Sequence, residues 1–243
     1  MNNLIKINEQ RAFVLHRLPY RETSLLVELL TRQQGRLRLV ALGARRPRSH
    51  WKSCLQSFIP LQVQWRGRGE LPILQQAEAV SLGLPLAGKA LYSAFYVNEL
   101  LSRLLVPGVA YETLFDHYLQ TLCQLATHGE LPEPILRSFE FYLLQALGFG
   151  VDFQCCAATG DKIREQGHYR YQVGSGFIAV NTPGQETFSG QQLQRLAVQA
   201  WHDPMTLKSA KRFSRLVLQP HLGSRPLKSR EFFVNPFSGH VAY

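Results

Sequence analysis

The sequence is poor in charge, and acidic residues are the scarcer kind. Only 18% of its 243 residues are charged, and 27 Lys and Arg outnumber 17 Asp and Glu, which gives a net charge of +10. Hydrophobic residues make up 45% of the chain, so the composition excludes a disordered tail and predicts one large globular domain or two smaller ones. The positive charge predicts a polyanionic partner, nucleic acid first, and predicts nothing about the fold.

Long apolar runs are also missing. No run approaches the roughly 18 apolar residues that a membrane span requires. Residues 1–10 include polar and charged residues and lack the apolar stretch of a secretory signal. Four cysteines are too few for a disulfide scaffold. We therefore expect a soluble cytoplasmic protein without membrane association.

The motifs of common enzymes are absent as well. The sequence contains no Gly-rich phosphate-binding loop, no dinucleotide-binding glycine pattern and no nucleophile elbow. Its eight histidines are scattered, as are its acidic residues. Only Cys155 and Cys156 are neighbours, and a vicinal pair cannot supply the four ligands of a zinc site. We expect no catalytic residues, no metal and no cofactor.

What the first 80 residues do contain is the period-two pattern of strands. In the clearest segment, apolar Leu61, Val63 and Trp65 alternate with polar residues. Strands are predicted at 12–18, 24–31, 36–42, 58–66 and 71–80. Five short strands in about 80 residues favour a small barrel, for which the OB-fold is the commonest five-stranded choice.

From about residue 85 the apolar period becomes helical. The pattern predicts three helices, represented by Ala90–Leu104, Phe115–Leu125 and Ile135–Leu147. An irregular insert with a hairpin over 169–180 follows, then a helix capped by Ser189 and a last long helix after Asp203. The predicted fold is α+β, with an OB-fold domain over 1–80 and a mainly α-helical domain over 81–243 whose insert lies near 151–188.

Positive charge is concentrated in the first third of the chain. Residues 1–80 hold 13 Lys and Arg against 5 Asp and Glu, and the loop 43–54 combines four cations with Trp51. Cations neutralise phosphates, and an aromatic face can stack an unpaired base. The predicted DNA-binding residues are Arg36, Arg38, Arg45, Arg46, Arg48, Trp51, Lys52, Arg66 and Arg68. The alternative is a mobile basic loop with a partly buried tryptophan.

A second basic group lies on the last long helix. Helical spacing places Lys208, Lys211, Arg212 and Arg215 on one face, beside an apolar face. This face is interpreted as a second nucleic-acid surface, as a site for an acidic peptide of a partner, or as a solvated helix surface.

Short motifs in a fixed order extend over about 220 residues and carry a family resemblance. They include Gln10–His16, Glu22–Leu25, Gly35–Ala41, Gln76–Glu78, Tyr96–Leu101, Leu147–Gly150, Gly176–Ala179, Ala210–Phe213 and Pro226–Arg230. In these motifs the chain resembles the RecO family of bacterial recombination mediators, in its gammaproteobacterial form.

The resemblance implies an N-terminal OB-fold, a helical C-terminal domain and no nucleotide hydrolysis. It implies binding to ssDNA and dsDNA and annealing of complementary strands in DNA repair and recombination. It also implies binding to the acidic C-terminal tail of the single-strand-binding protein. Together with RecR, such a protein helps RecA to load onto DNA. We therefore expect this protein in the cytoplasm, near the nucleoid. Since that tail is acidic with an apolar end, its expected site is Lys208, Lys211, Arg212 and Arg215.

The chain departs from one pattern of the family. Many relatives carry a four-cysteine zinc module after the third helix, but here Thr159 stands where the second cysteine would fall. The second pair, expected near Gly176, is absent. We therefore expect packing and hydrogen bonds to hold the insert without zinc.

Two alternative functions remain open at this point. One is a general OB protein that binds single-stranded RNA or DNA, which would prefer RNA and would not anneal strands. The other is an adaptor that binds only proteins, which would keep its function after neutralisation of the loop 43–54.

Overall fold

Five strands of the N-terminal region form a closed barrel in the computed structural model, which describes residues 9–67, 69 and 71–234. The strands are β1 (Gln10–Tyr20), β2 (Ser24–Thr31), β3 (Gly35–Ala41), β4 (Leu61–Arg66) and β5 (Ile73–Ala79). Their order around the barrel is β1-β2-β3-β5-β4, and β4 pairs with β1 to close it. Strands β3 and β5 pair in parallel, at Val40 and Ile73, while the other neighbours are antiparallel. The predicted α+β fold with an N-terminal OB-type barrel is confirmed.

The barrel core follows from the alternation of apolar residues along the strands. Val14, Val27, Leu39 and Val63 point inward and are almost completely buried, as the two-residue period of a strand requires. Phe13, which faces outward, is buried by helix rings: its ring centroid lies 5.6 Å from that of Phe115 and 5.2 Å from that of Tyr118. The barrel wall is therefore apolar on both sides where the helices cover it.

The described helices lie mainly after the barrel. They are α1 (Trp51–Cys54), α2 (Gly88–Leu104), α3 (Glu112–His128), α4 (Glu133–Ala146), α5 (Gly190–Ala197), α6 (Pro204–Leu222) and α7 (Glu231–Val234), with a 3₁₀ turn at Lys228–Arg230. Among these described helices, none is long and apolar enough to cross a membrane. The predicted N-terminal caps of α5 and α6 are both present. Ser189 and Gln192 form a capping box, and Asp203 accepts hydrogen bonds from the amides of the first turn of α6.

By their internal contacts the residues group into two compact units. The first unit extends to Glu130 and resumes at Leu227, and the second unit is Leu131–Pro226. Helices α2 and α3 thus belong with the barrel, because α2 also packs on β1. We retain 1–80 and 81–243 as proposed domains defined by their secondary structure.

The insert of the second unit contains a small sheet. Strands β6 (His168–Gln172), β7 (Gly176–Val180) and β8 (Thr187–Ser189) pair in the order β7-β6-β8, and β6 and β7 form the hairpin predicted there.

Hydrogen bonds and aromatic packing hold this insert. The amide of Ala157 donates to the carbonyl of Phe177 at 2.7 Å. The Phe177 ring lies within 5.7 Å of the rings of Phe153, Phe188 and Phe213. In the described part of the chain, no group of three or more His, Cys, Asp or Glu is placed to hold a metal ion.

Candidate nucleic-acid interface

The region from β3 to β4 carries charge of one sign. From Leu29 to Gly69 the sequence contains nine Lys and Arg and no Asp or Glu. This stretch includes β3, the loop that follows it, α1 and β4. Because the potential around a surface is the sum of its charges, the loop and α1 form a positive region on the barrel.

The loop after β3 is fastened to the turn between β1 and β2. The backbone amide of Arg45 donates to the carbonyl of Thr23 at 2.8 Å. The Arg45 guanidinium donates to the carbonyls of Arg21 and Glu22 at 3.2 and 3.1 Å. Beyond α1, Arg17 of β1 donates to the carbonyl of Leu55 at 2.8 Å. These contacts hold the backbone at both ends of the loop against the barrel, so the segment that carries the charges has a defined position.

Trp51 has a different role from the one predicted for it. It is only 5% exposed and belongs to the barrel core. Its Nε1 donates to the carbonyl of Leu42 at 3.2 Å. A buried indole cannot present its face to a base, so the prediction that Trp51 stacks a base is wrong for this structure. Trp51 instead anchors the loop, which the loop's composition could not reveal.

Four cations of the loop region reach solvent. Arg45, Arg46, Arg48 and Lys52 are exposed. Lys52 Nζ lies 3.3 Å from the carbonyl oxygen of Pro47, and Arg46 and Arg48 have no side-chain partner within the described chain. Arg38 on β3 is also exposed, at 58% of its side chain, and only approaches Glu28 at 3.9 Å. These five side chains can meet phosphates at little desolvation cost.

Arg36 is not part of this exposed set. Its side chain is 12% exposed and forms an ion pair with the buried carboxylate of Glu28. Its Nε also donates to the carbonyl of Leu105 at 2.9 Å. These partners neutralise and fix Arg36 inside the wall, so contact with DNA through Arg36 is disfavoured. Of the other two predicted residues, Arg66 is exposed at the end of β4, and Arg68 lies outside the described residues.

The basic group on α6 does not form one uniform face. Lys211 pairs with Glu133 at 2.5 Å. Arg212 lies over the ring of Phe188 at 3.8 Å and donates to the carbonyl of Thr187 at 2.7 Å, and burial lowers the pKa of its guanidinium. Arg212 therefore stabilises the packing of α6 on β8. Lys208 and Arg215 are exposed.

Two further residues, one beside the loop and one within it, were not predicted as DNA-binding residues from the sequence. Arg21 lies in the β1–β2 turn, with its guanidinium 5.3 Å from the Tyr20 ring centroid. His50 lies within the loop and is exposed, and its ring packs against that of Trp51 with a centroid distance of 4.1 Å and a tilt of 40°. Only the position of the loop against the barrel brings Arg21 next to Arg45, so residue spacing carried no signal for it.

Known protein families and relatives match this chain along almost its whole length. Residues 5–82 match the family described as Recombination protein O N terminal, and residues 86–231 match Recombination protein O C terminal. The chain is 51% identical to the DNA repair protein RecO of Actinobacillus pleuropneumoniae serotype 3 (strain JL03), over 94% of this chain and 95% of that protein. It is 52% identical to the protein of the same name from Serratia proteamaculans, over 92% of each chain. The Yersinia pestis (strain Pestoides F) relative is 51% identical over 92% of this chain and 93% of its own.

Proposed function

Since this chain belongs to the RecO family of DNA repair proteins, we propose that it binds ssDNA and dsDNA through the loop after β3 and anneals complementary strands. The residues that we assign to the DNA surface are Arg38, Arg45, Arg46, Arg48, Lys52 and Arg66, all of which are exposed. The protein acts in this proposal by binding and has no catalytic step.

One observation carries the proposal: a fixed loop displays exposed cations in a stretch of the barrel without acidic residues. Annealing requires two polyanionic strands to approach each other. Cations that contact phosphates lower the repulsion between strands, and they leave the base edges open for pairing. Because the loop is already ordered, little conformational entropy is lost when DNA binds.

The salt dependence of ssDNA binding tests this surface. We would compare the wild type with Arg46→Ala/Arg48→Ala/Lys52→Ala by fluorescence anisotropy over a range of salt concentrations. Each phosphate contact on single strands contributes about 0.7 to the slope of log K against log salt, so the variant should bind more weakly with a slope lower by up to about 2. Arg45 stays unchanged because its guanidinium also holds the β1–β2 turn.

A matched variant controls for the loss of net charge. Lys162→Ala/Arg164→Ala/Arg170→Ala also removes three exposed cations, but from the second unit. We expect this variant to retain the wild-type slope. A loop variant with the slope of the wild type would mean that DNA binds elsewhere.

The proposed partners are those of a recombination mediator. We place the acidic tail of the single-strand-binding protein at Lys208, Lys211 and Arg215 of α6, where Lys208 and Arg215 are exposed. Arg212 is left out because it already packs on Phe188. In this role the protein acts with RecR near the nucleoid and assists RecA only indirectly.

Binding of a tail peptide tests the placement on α6. Lys208→Glu/Arg215→Glu reverses two exposed charges, so affinity for the acidic peptide should fall and should become less sensitive to salt. The same measurement on Lys162→Glu/Arg164→Glu serves as the control. Unchanged peptide affinity in the α6 variant would move the tail site away from this helix.

A further inference from the structure

The exposed aromatic ring of the loop is His50, which packs against the buried ring of Trp51. The ring centroids of His50 and Trp51 are 4.1 Å apart, and the planes are inclined by 40°. Trp51 cannot move aside, because its ring is buried in the barrel core and its Nε1 is bonded to the Leu42 carbonyl. One side of the imidazole is thus covered by a fixed ring, while the residue remains exposed to solvent.

The backbone of His50 stabilises the start of α1 through a hydrogen bond, whereas the His50 side chain does not. Its carbonyl accepts a hydrogen bond from Ser53 Oγ at 3.1 Å. The side chain makes no capping bond to α1. Substitution of the imidazole therefore leaves the backbone contacts of α1 in place, and the ring is available for a ligand.

The cations next to His50 suit a ligand that carries phosphates. Arg48 and Lys52 lie two residues before and two residues after it, and both are exposed. A flat aromatic group between cations is the pairing that binds single strands, because phosphates meet the cations and a base stacks on the ring. In a duplex the bases already stack on one another and expose no face.

We propose that His50 is the stacking platform for an unpaired base of bound ssDNA, with Trp51 as its fixed support. This inference rests on the proposed DNA binding and adds a residue that discriminates single strands from duplex. The platform adds affinity for ssDNA alone, whereas the cations serve both forms of DNA.

The test uses the full-length protein with three DNA probes and three substitutions. The probes are an oligothymidylate, an abasic oligonucleotide of equal length and a duplex. The substitutions are His50→Ala, His50→Phe, which keeps an aromatic ring, and His50→Lys, which supplies a cation without a ring. His202→Ala, at an exposed histidine of the second unit, is the matched control.

We expect His50→Ala to weaken oligothymidylate binding about fivefold or more, the lower range for loss of one stacked base. His50→Lys should lower the affinity for oligothymidylate relative to that for the abasic probe by a similar factor. His50→Phe and His202→Ala should bind as the wild type does. None of the substitutions at His50 should weaken binding to the abasic probe or the duplex by a comparable factor. Photocrosslinking with 5-iodouracil should attach the oligonucleotide to the residue at position 50.

Two results overturn the platform while the proposed DNA binding stands. One is wild-type affinity of His50→Ala for oligothymidylate, and the other is full rescue by His50→Lys, which would make the contact one of charge. If the wild type binds none of the three probes, the proposed function itself fails.

Discussion

Removal of the Asn98 side chain should destabilise the first unit strongly, because this amide joins α2, α3 and the barrel. Asn98 Nδ2 donates to the carbonyls of Val14 and Leu15, at 3.3 Å each, where the register of β1 shifts. Its Oδ1 accepts a hydrogen bond from the Tyr118 hydroxyl at 2.6 Å. Asn98 is 2% exposed and Tyr118 is fully buried. Burial raises the pKa of the Tyr118 phenol, so the hydroxyl remains a neutral donor.

The size of the effect follows from these three hydrogen bonds. A typical intramolecular hydrogen bond contributes about 1 kcal/mol, and a buried group left without a partner costs about 1–3 kcal/mol. Asn98→Ala removes the partner of three buried groups, so we expect a loss of about 3–4 kcal/mol in the free energy of unfolding. Tyr118→Phe removes one bond and should cost about 1–1.5 kcal/mol. The double variant should cost less than the sum, because both substitutions remove the same bond.

Urea-induced unfolding followed by tryptophan fluorescence measures these losses. A Trp201→Phe background leaves Trp51 and Trp65 as reporters, and both belong to the barrel core. Lys89→Ala, at an exposed position of α2, is the control and should change stability by less than about 0.5 kcal/mol. A loss below about 1 kcal/mol for Asn98→Ala, or strict additivity with Tyr118→Phe, would refute the view that this network ties the helices to the barrel.

Two further predictions concern charged groups of the first unit. Arg36→Leu should lower the free energy of urea unfolding by about 3–5 kcal/mol, because Glu28 stays buried and loses its close ion-pair partner. Arg38→Ala should lower it by less than about 0.5 kcal/mol and should weaken DNA binding. Equal losses of stability in the two variants would contradict these roles. At Glu99, burial raises the pKa, but hydrogen bonds from Ser229 and from the Lys228 amide outweigh it, so the pKa lies below its ordinary value of 4.5. Glu99 thus stabilises the 3₁₀ turn at Lys228–Arg230 at pH values above 4.5 and loses this effect as the pH falls through its lowered pKa. The protection factor of the Ser229 amide, which is its exchange rate relative to the intrinsic rate at the same pH, should fall in acid and in Glu99→Gln at neutral pH. A wild-type protection factor in that variant would contradict the assignment.

The periodic elements of the fold could be predicted because local sequence determines them. Alternation identified β4, although the strand begins at Leu61 and not at residue 58, since Pro60 has no amide hydrogen for the ladder. The Ser189 capping box and the Asp203-Pro204 start of α6 were also readable from spacing alone.

The roles of the site residues depended on contacts between distant segments. Arg36 and Arg38 alternate along one strand and look equivalent in the sequence, but only Arg36 meets the Leu105 carbonyl and lies mostly buried beside Glu28. Trp51 resembles a binding residue because cations surround it in the sequence, yet its side chain is buried in the barrel core. Arg212 shares a helix face with Lys208, but the ring of Phe188 lies under it. Leu105 and Phe188 lie far along the chain from the arginines that they contact, so residue spacing could not reveal these partners.

Annealing of strands coated with the single-strand-binding protein tests the central claim most directly. Two complementary oligonucleotides, each coated with the cognate protein, would be mixed with and without this chain while duplex formation is followed by fluorescence. The account predicts acceleration by the wild type and by Lys162→Ala/Arg164→Ala/Arg170→Ala, and its loss in Arg46→Ala/Arg48→Ala/Lys52→Ala. Acceleration that persists in the loop variant, or no acceleration by the wild type, would contradict it.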